Sequence, residues 1–189
     1  SLDDVWNHHV EAWRGWHQRS FCPHDLPAEL RQQMATSAMV LRVHQDKTFP
    51  GAMVASLSVP WGNANDNTGG YHLVWPRDVV ESAGGLIALW AFAEARDILR
   101  YLIATQQANG SWSQNQWLGG KPFWHGNQLD EAAFPVLLVA SLAERDALDG
   151  IAVAAMVGAA LVFIARNGPA TEQDRWEEDA GYSPFTLAV

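Results

Sequence analysis

Residues 150–165, GIAVAAMVGAALVFIA, form a run of 16 without a single charged side chain. No other feature limits the fold as much. A membrane span needs about 20 apolar residues, and this run is shorter and rich in Ala and Gly, so no membrane association is expected. A helix apolar on every side is instead buried inside a large helical protein. An all-α fold with an enclosed helix is therefore the starting expectation.

The rest of the chain agrees in period. A leading helix is expected from Leu2 to about Arg19. Asp25 and Pro27 mark a second start, after which Leu30, Met34, Ala38 and Leu41 recur at helical spacing to about His44. Pro76 and Asp78 open a helix expected to run through VVESAGGLIALWAFAEA, with RDILRYLIATQQ as its neighbour. AAFPVLLVASLAERD carries the next, with Pro135 either in its first turn or kinking it. Asn167-Gly168-Pro169 stops the apolar helix. Between the helices lie long loops at 56–75 and 109–128, and loops of that length usually carry function. No internal repeat is evident.

Composition narrows the partners. The 189 residues suggest one domain, and 48% apolar with 17% charged residues is a globular composition. A net charge of −9 argues against nucleic acid, which wants a basic footprint, and suits a neutral substrate such as a polysaccharide. Cys22 is the only cysteine, so no internal disulfide forms and the compartment stays open. The chain starts Ser1-Leu2-Asp3-Asp4 without methionine or a basic-then-apolar leader, and ends in the apolar run 185–189. A partial domain, continued at both ends in a longer polypeptide, is expected. No cofactor and no metal site are expected.

Three stretches concentrate polar chemistry beside tryptophans. Trp61, Trp75, Trp112, Trp117 and Trp124 fall in or at the edges of the two loops, and Trp176 in a third non-helical stretch. A pyranose has an apolar C–H face that packs on an indole, and hydroxyls that need charged or amide partners. For a single tryptophan, sealing the end of a helical core is the better explanation; for five beside acids, amides and Arg, a sugar site is. GGYHLVWPRDVVESA supplies Tyr71, Trp75, Arg77 and Asp78, an Arg–Asp pair able to donate to one hydroxyl and accept from the next. Asp78 alone could simply complement a helix dipole. FWHGNQLDEAAFP supplies Trp124, Gln128, Asp130 and Glu131, by themselves an ordinary helix cap.

EQDRWEEDAGYSP places Glu177 and Glu178 side by side. Neighbours in an extended segment point opposite ways, whereas inverting glycosidases hold two carboxyls roughly 6.5–9.5 Å apart across the sugar. One of the pair can be an acid, its pKa raised by an apolar neighbour such as Trp176, with the other binding hydroxyls.

In order and content, YHLVWPRD, the W-x3-Q-x-D spacing at 124–130 and RWEEDAGYSPFTLA resemble successive regions of glycoside hydrolase family 15, the glucoamylases and glucodextranases. VHQDKTFPGAMVASLSVPWG resembles its bacterial branch, and the likeness runs from about Val40 to Val189. The resemblance implies an (α/α)6 barrel, of which this chain carries about the first half. It further implies inverting exo-hydrolysis of α-glucan or oligosaccharide, releasing β-D-glucose from non-reducing ends. By the same resemblance Glu177 is the general acid and Glu178 binds hydroxyls around the cleaved bond. Arg77 and Asp78 hold the terminal glucose, and Tyr71 and Trp75 shape its pocket. Trp124 lies near the acid and the next sugar, with Gln128 and Asp130 supporting that wall. Arg175 and Trp176 contribute main-chain carbonyls and side chains. The family's general base lies further along the chain, so an acid is expected here without its base. Linkage preference is not legible. Two alternatives stay open: a catalytically incomplete glucan-binding fragment, and a phosphorylase on the same barrel, which phosphate dependence would separate. A half-barrel also leaves an apolar seam, so self-association or cover by the remainder of a parent chain is expected.

Overall fold

Capping sets the first helix. The Ser1 hydroxyl accepts the Asp4 N–H while the Asp4 carboxylate accepts from the Ser1 amine, a capping box at the start of α1 (Leu2–Arg19). The computed structural model describes residues 1–20, 25–57, 70–175 and 179–189. There α1 is followed by α2 (Ala28–Val43), α3 (Pro76–Ala88), α4 (Phe92–Thr105), α5 (Leu129–Ala143), α6 (Ala154–Asn167) and α7 (Pro184–Ala188). Among the described residues there are no strands, only isolated antiparallel bridges. No described helix is long and apolar enough to cross a membrane.

The centre of the molecule is α3, packed along α4 and α5, with α2 against α3 and α6 and α7 against α5. Val79, Ala83 and Leu86 of α3 join Ile98, Leu99 and Leu102 of α4 and Leu138 and Leu142 of α5 in one continuous apolar cluster. These residues recur three or four apart, so each helix turns one stripe inward. Each fully buried leucine stabilises by about 1.5–3 kcal/mol relative to exposure.

Two sequence expectations are revised. The run through 79–95 is two helices, broken at Leu89–Ala91. Trp90 takes φ +59°, the Ala91 N–H bonds the Leu86 carbonyl at 2.9 Å, and the Trp90 N–H bonds the Ile87 carbonyl at 3.0 Å. This is a Schellman ending with tryptophan where glycine is usual, which hides the boundary in an unbroken apolar pattern. The charge-free run forms α6 only from Ala154, and it is not enclosed: Met156, Ala160 and Phe163 are buried, whereas Leu161 and Val162 are exposed. One stripe of α6 meets α5; its other apolar face has no partner among the described residues. Pro135 lies inside α5, beyond its first turn. Its missing N–H deprives the Glu131 carbonyl of a helical donor.

The loops are tied to one another. Val74 and Gln116 exchange two backbone bonds, at 2.8 and 2.9 Å, joining the segment before α3 to the loop before α5. Gly110 permits the second loop to approach α6: it has φ +96°, and a Cβ there would sit 2.2 Å from the Ala159 carbonyl oxygen.

Candidate active site

Two helix N-termini and the segment 171–181 meet at one end of the α3–α5 pair, and they are knitted by caps that cross between elements. Neither α3 nor α5 has a side-chain cap of its own. The first N–H of α3, that of Arg77 because Pro76 has none, is accepted by Glu131 Oε2 from α5 at 2.6 Å. The first N–H of α5, that of Leu129, is accepted by Thr171 Oγ1 at 3.3 Å. Thr171 and Gly181 then exchange two backbone bonds of 2.9 Å, and the Asp174 N–H reaches the Asp179 carbonyl at 2.7 Å. The ends of the 174–179 stretch are thereby fixed beside the other two. Each of the three sequence stretches thus serves, or is served by, another.

Arg77 is the hub. Its side chain is 8% exposed, yet Nη1 lies 2.8 Å from Asp130 Oδ2, 3.1 Å from Glu131 Oε1 and 3.1 Å from Gln128 Oε1. Nη2 donates to the Arg175 carbonyl at 3.5 Å. Asp130 and Glu131 are fully buried. Burial pulls the Arg77 pKa down, but Glu131 and Asp130 outweigh it and leave it raised, so the guanidinium is charged throughout. Burial pushes the Glu131 carboxyl well above the usual carboxylate range, with Arg77 opposing and Asp130 adding to the shift. Asp78 is open to solvent on one side and enclosed on the others; that enclosure raises its pKa, with Arg77 and Arg175 pulling it back.

In front of this hub is a pocket of about 380 Å³ lined by Ala55, Gly70, Tyr71, Trp75, Arg77, Asp78, Trp124 and Arg175. Its volume lies in the range of small-molecule sites, about 300–1,000 Å³. The aromatic wall is continuous: Tyr71 stacks on Trp75 at 5.7 Å between centroids, and Trp75 meets Trp124 edge-on at 6.2 Å. Trp124 is held from behind, its N–H accepted by buried Asn115 Oδ1 at 2.9 Å. The Arg175 guanidinium sits 4.1 Å over the Phe185 ring. An indole wall with a guanidinium and a carboxylate at its base can take the apolar face of a sugar and its hydroxyls together.

Of the residues singled out in the sequence, six share this pocket: Tyr71, Trp75, Arg77, Asp78, Trp124 and Arg175. Gln128 and Asp130 lie behind Arg77 rather than on the pocket surface. Trp176, Glu177 and Glu178 lie outside the described residues, as does Trp61. Trp112 is a core residue, 2% exposed with Nε1 donating to the Leu102 carbonyl at 2.9 Å, so for this tryptophan sealing the core is the correct explanation. Sequence reasoning missed that Glu131, from α5, caps α3 and that Thr171, from the segment after α6, caps α5; nothing in a linear pattern signals a cap supplied from 54 or 42 positions away. No group of three or more His, Cys, Asp or Glu able to hold a metal occurs among the described residues.

A larger cleft, about 730 Å³, opens between α1, the end of α2 and α4, lined by Trp13, Arg42, Asp46, Lys47, Glu94 and Asp97 among others. Its carboxylates already serve the protein. Glu94 accepts from Trp16 Nε1 at 2.7 Å, Asp46 accepts the Thr48 and Phe49 N–H groups, and Asp97 pairs with Arg100 at 2.9 Å.

The helical hairpins around α3 and α5 define an all-α protein of the (α/α)6-barrel class. The model of glycosyl hydrolases family 15 matches residues 29–189. A glucoamylase from Clostridium sp. (strain G0005) is 46% identical over 155 residues, covering 81% of this chain and 21% of that protein. The crystal structure of a bacterial glucoamylase complexed with acarbose superposes with a TM-score of 0.83 at 38% identity, covering 100% of this chain and 27% of that one. The chain therefore spans about a fifth to a quarter of the length of these relatives. It belongs to glycosyl hydrolases family 15.

Proposed function

We propose that these residues are part of the catalytic domain of a glucan exo-hydrolase of the glucoamylase type, which cleaves α-glucosidic bonds at non-reducing ends with inversion and releases β-D-glucose. The observation that carries this is the convergence of Tyr71, Trp75, Arg77, Asp78, Trp124 and Arg175 on one pocket in a chain of this family. In this reading Arg77 and Asp78 take neighbouring hydroxyls of the terminal glucose, and the indoles take its C–H face. Glu177 protonates the leaving glycosidic oxygen, and Glu178 binds hydroxyls around the cleaved bond. A second carboxylate, about 6.5–9.5 Å from the acid and across the sugar, activates the attacking water. We assign that base to a residue outside these 189. The glucoamylase relatives, each far longer than this chain, support both the substrate class and a base supplied from elsewhere.

The apolar face formed by Leu137, Leu161 and Leu187, all exposed, is covered by further protein, either more of the same barrel or another chain. A monodisperse, cooperatively unfolding monomer of these 189 residues would count against that.

The enzymatic reading is tested with Glu177→Gln in the polypeptide that carries this chain. Hydrolysis of maltooligosaccharides is expected to fall about 100-fold to 10,000-fold, with the first-formed product the β-anomer by NMR. Unchanged hydrolysis, or an α-anomer, overturns it.

A further inference from the structure

We propose that Glu131 is the positioning residue for the pocket's arginine: it grips Arg77 by both its main chain and its guanidinium, leaving Nη2 as the end that donates to a sugar hydroxyl. The proposal rests on the sugar-site reading above and deepens it.

The geometry gives each oxygen of Glu131 a separate task. Oε2 accepts the Arg77 N–H at 2.6 Å, and Oε1 lies 3.1 Å from Nη1 of the same residue. The two protons of Nη1 go to Asp130 Oδ2 and Gln128 Oε1, at 2.8 and 3.1 Å, and Glu131 Oε1 faces the same nitrogen as a charge contact without a hydrogen bond. That end is spent within the protein. Nη2, by contrast, makes one long contact among the described residues, 3.5 Å to the Arg175 carbonyl, and Arg77 lines the pocket. The donor with capacity for a ligand is therefore Nη2.

Asp130 and Gln128 hold only the head group, so with them alone the side chain could still pivot with its backbone. Glu131 alone spans both ends of Arg77. It does so from the first turn of α5, a helix whose inward stripe packs against α3, so the grip is rigid. The charged groups facing Glu131 are Arg77, Asp130 and Asp78, one cation against two further acids. Losing a member of such a set disturbs orientation as well as charge. Prepositioning matters because a donor misplaced by a fraction of an ångström loses most of its value.

A Glu131 that merely capped α3 would lower stability and nothing else. The test is therefore a cycle of Glu131→Gln, Arg77→Lys and the double variant in the polypeptide that carries this chain, with maltotriose as the probe. Glu131→Gln is expected to raise KM about 10-fold while kcat changes less than about 3-fold, the size of one weakened charge-assisted hydrogen bond. The double variant is expected to be no worse than Arg77→Lys, because Glu131 acts through that arginine. A shift in thermal midpoint with KM unchanged, or losses that multiply in the double variant, overturns the proposal. If Glu131→Gln does not fold, ¹⁵N NMR of the guanidinium in Asp130→Ala, where Glu131 is the remaining carboxylate at Nη1, decides: restrained Nη1 protons are expected, and free rotation overturns it. Should wild type show no glucan hydrolysis, the reaction assignment fails by itself; maltotriose affinity and the guanidinium spectrum still judge Glu131.

Discussion

Two arginines in this chain lie against carboxylates beside tryptophans, and burial separates what they do. Arg77 is 8% exposed and sits 2.8 and 3.1 Å from Asp130 and Glu131, whose side chains are at most 1% exposed. Arg42 is 38% exposed, 3.6 Å from a Glu94 that is itself 17% exposed, and its guanidinium stands 5.6 Å from the Trp16 ring. The Arg42 set staples α1 and α2 to α4 nearer the surface, where each charge keeps part of its contact with water. The Arg77 set has given up that hydration and gained direction. A buried ion pair is weak evidence for stability, since apolar replacements often do as well. It fixes where a donor points, and in this protein it points one into a pocket. The same residue types therefore make a surface clasp in one place and an oriented group lining a pocket in the other.

The comparison is broken most directly by Arg77→Ala. Removing this cation strands Asp130 and Glu131 in a dry site, and the expected loss is about 3–5 kcal/mol in urea unfolding, together with loss of measurable glucan hydrolysis. Arg77→Lys should fall between, because an ammonium cannot serve Asp130 and Glu131 while also donating outward from a fixed plane. A loss below about 1 kcal/mol for the alanine variant would mean the buried set is no more demanding than a surface pair.

Acidity sharpens the same contrast. The folded-state pKa of Glu131 is raised well above its ordinary 4.5, chiefly by burial. Between those two values the native state binds more protons than the unfolded state, so stability falls as pH rises through this window. Glu131→Gln removes that group's share, so the decline in thermal midpoint from about pH 4.5 upward should flatten. It should not vanish, because Asp78 is also raised by burial and contributes with the same sign. An undiminished slope in the variant would show that Glu131 does not titrate differently on folding.

At the pocket mouth the effect moves from stability to affinity. Trp124 is partly exposed and meets Trp75 edge-on, a contact worth about 0.5–1.5 kcal/mol. Trp124→Ala should therefore cost about 1 kcal/mol of stability while weakening maltotriose binding by about 10-fold, measured by calorimetry. Unchanged affinity would remove this indole from the sugar-facing wall.

How much of this was legible in the sequence depends on the range of the interaction. Helix starts written locally were legible: Pro76 with Asp78, and the Asn167-Gly168-Pro169 stop, fall where expected. The break at Trp90 was not, because a Schellman ending normally announces itself with glycine. The six pocket residues could be named from motif order and sugar chemistry. Which of the acids after Gln128 faces which group could not, because GNQLDE reads as a cap for its own helix. In the structure Asp130 and Glu131 are committed to Arg77 on another helix. Periodicity reports which face is apolar; it cannot report that, among the described residues, α6 finds a partner for only one of its two apolar faces.

The smallest expected effect belongs to Glu94→Gln, and it tests the other side of the comparison. Glutamine retains an oxygen to accept the Trp16 Nε1 proton, now 2.7 Å from the carboxylate, so the buried indole keeps its partner. What disappears is the charge facing Arg42, a pair at 3.6 Å in partial contact with water. Solvent screening holds such a pair to about 0–1 kcal/mol. The stability difference from wild type should shrink further in 1 M salt, where the screening length is about 3 Å. KM for maltotriose should be unchanged, because Arg42, Glu94 and Trp16 do not line the pocket. A loss above about 2 kcal/mol, or a shift in KM, would place the Arg42 set among the oriented buried groups, and partial exposure would no longer separate a clasp from a binding group.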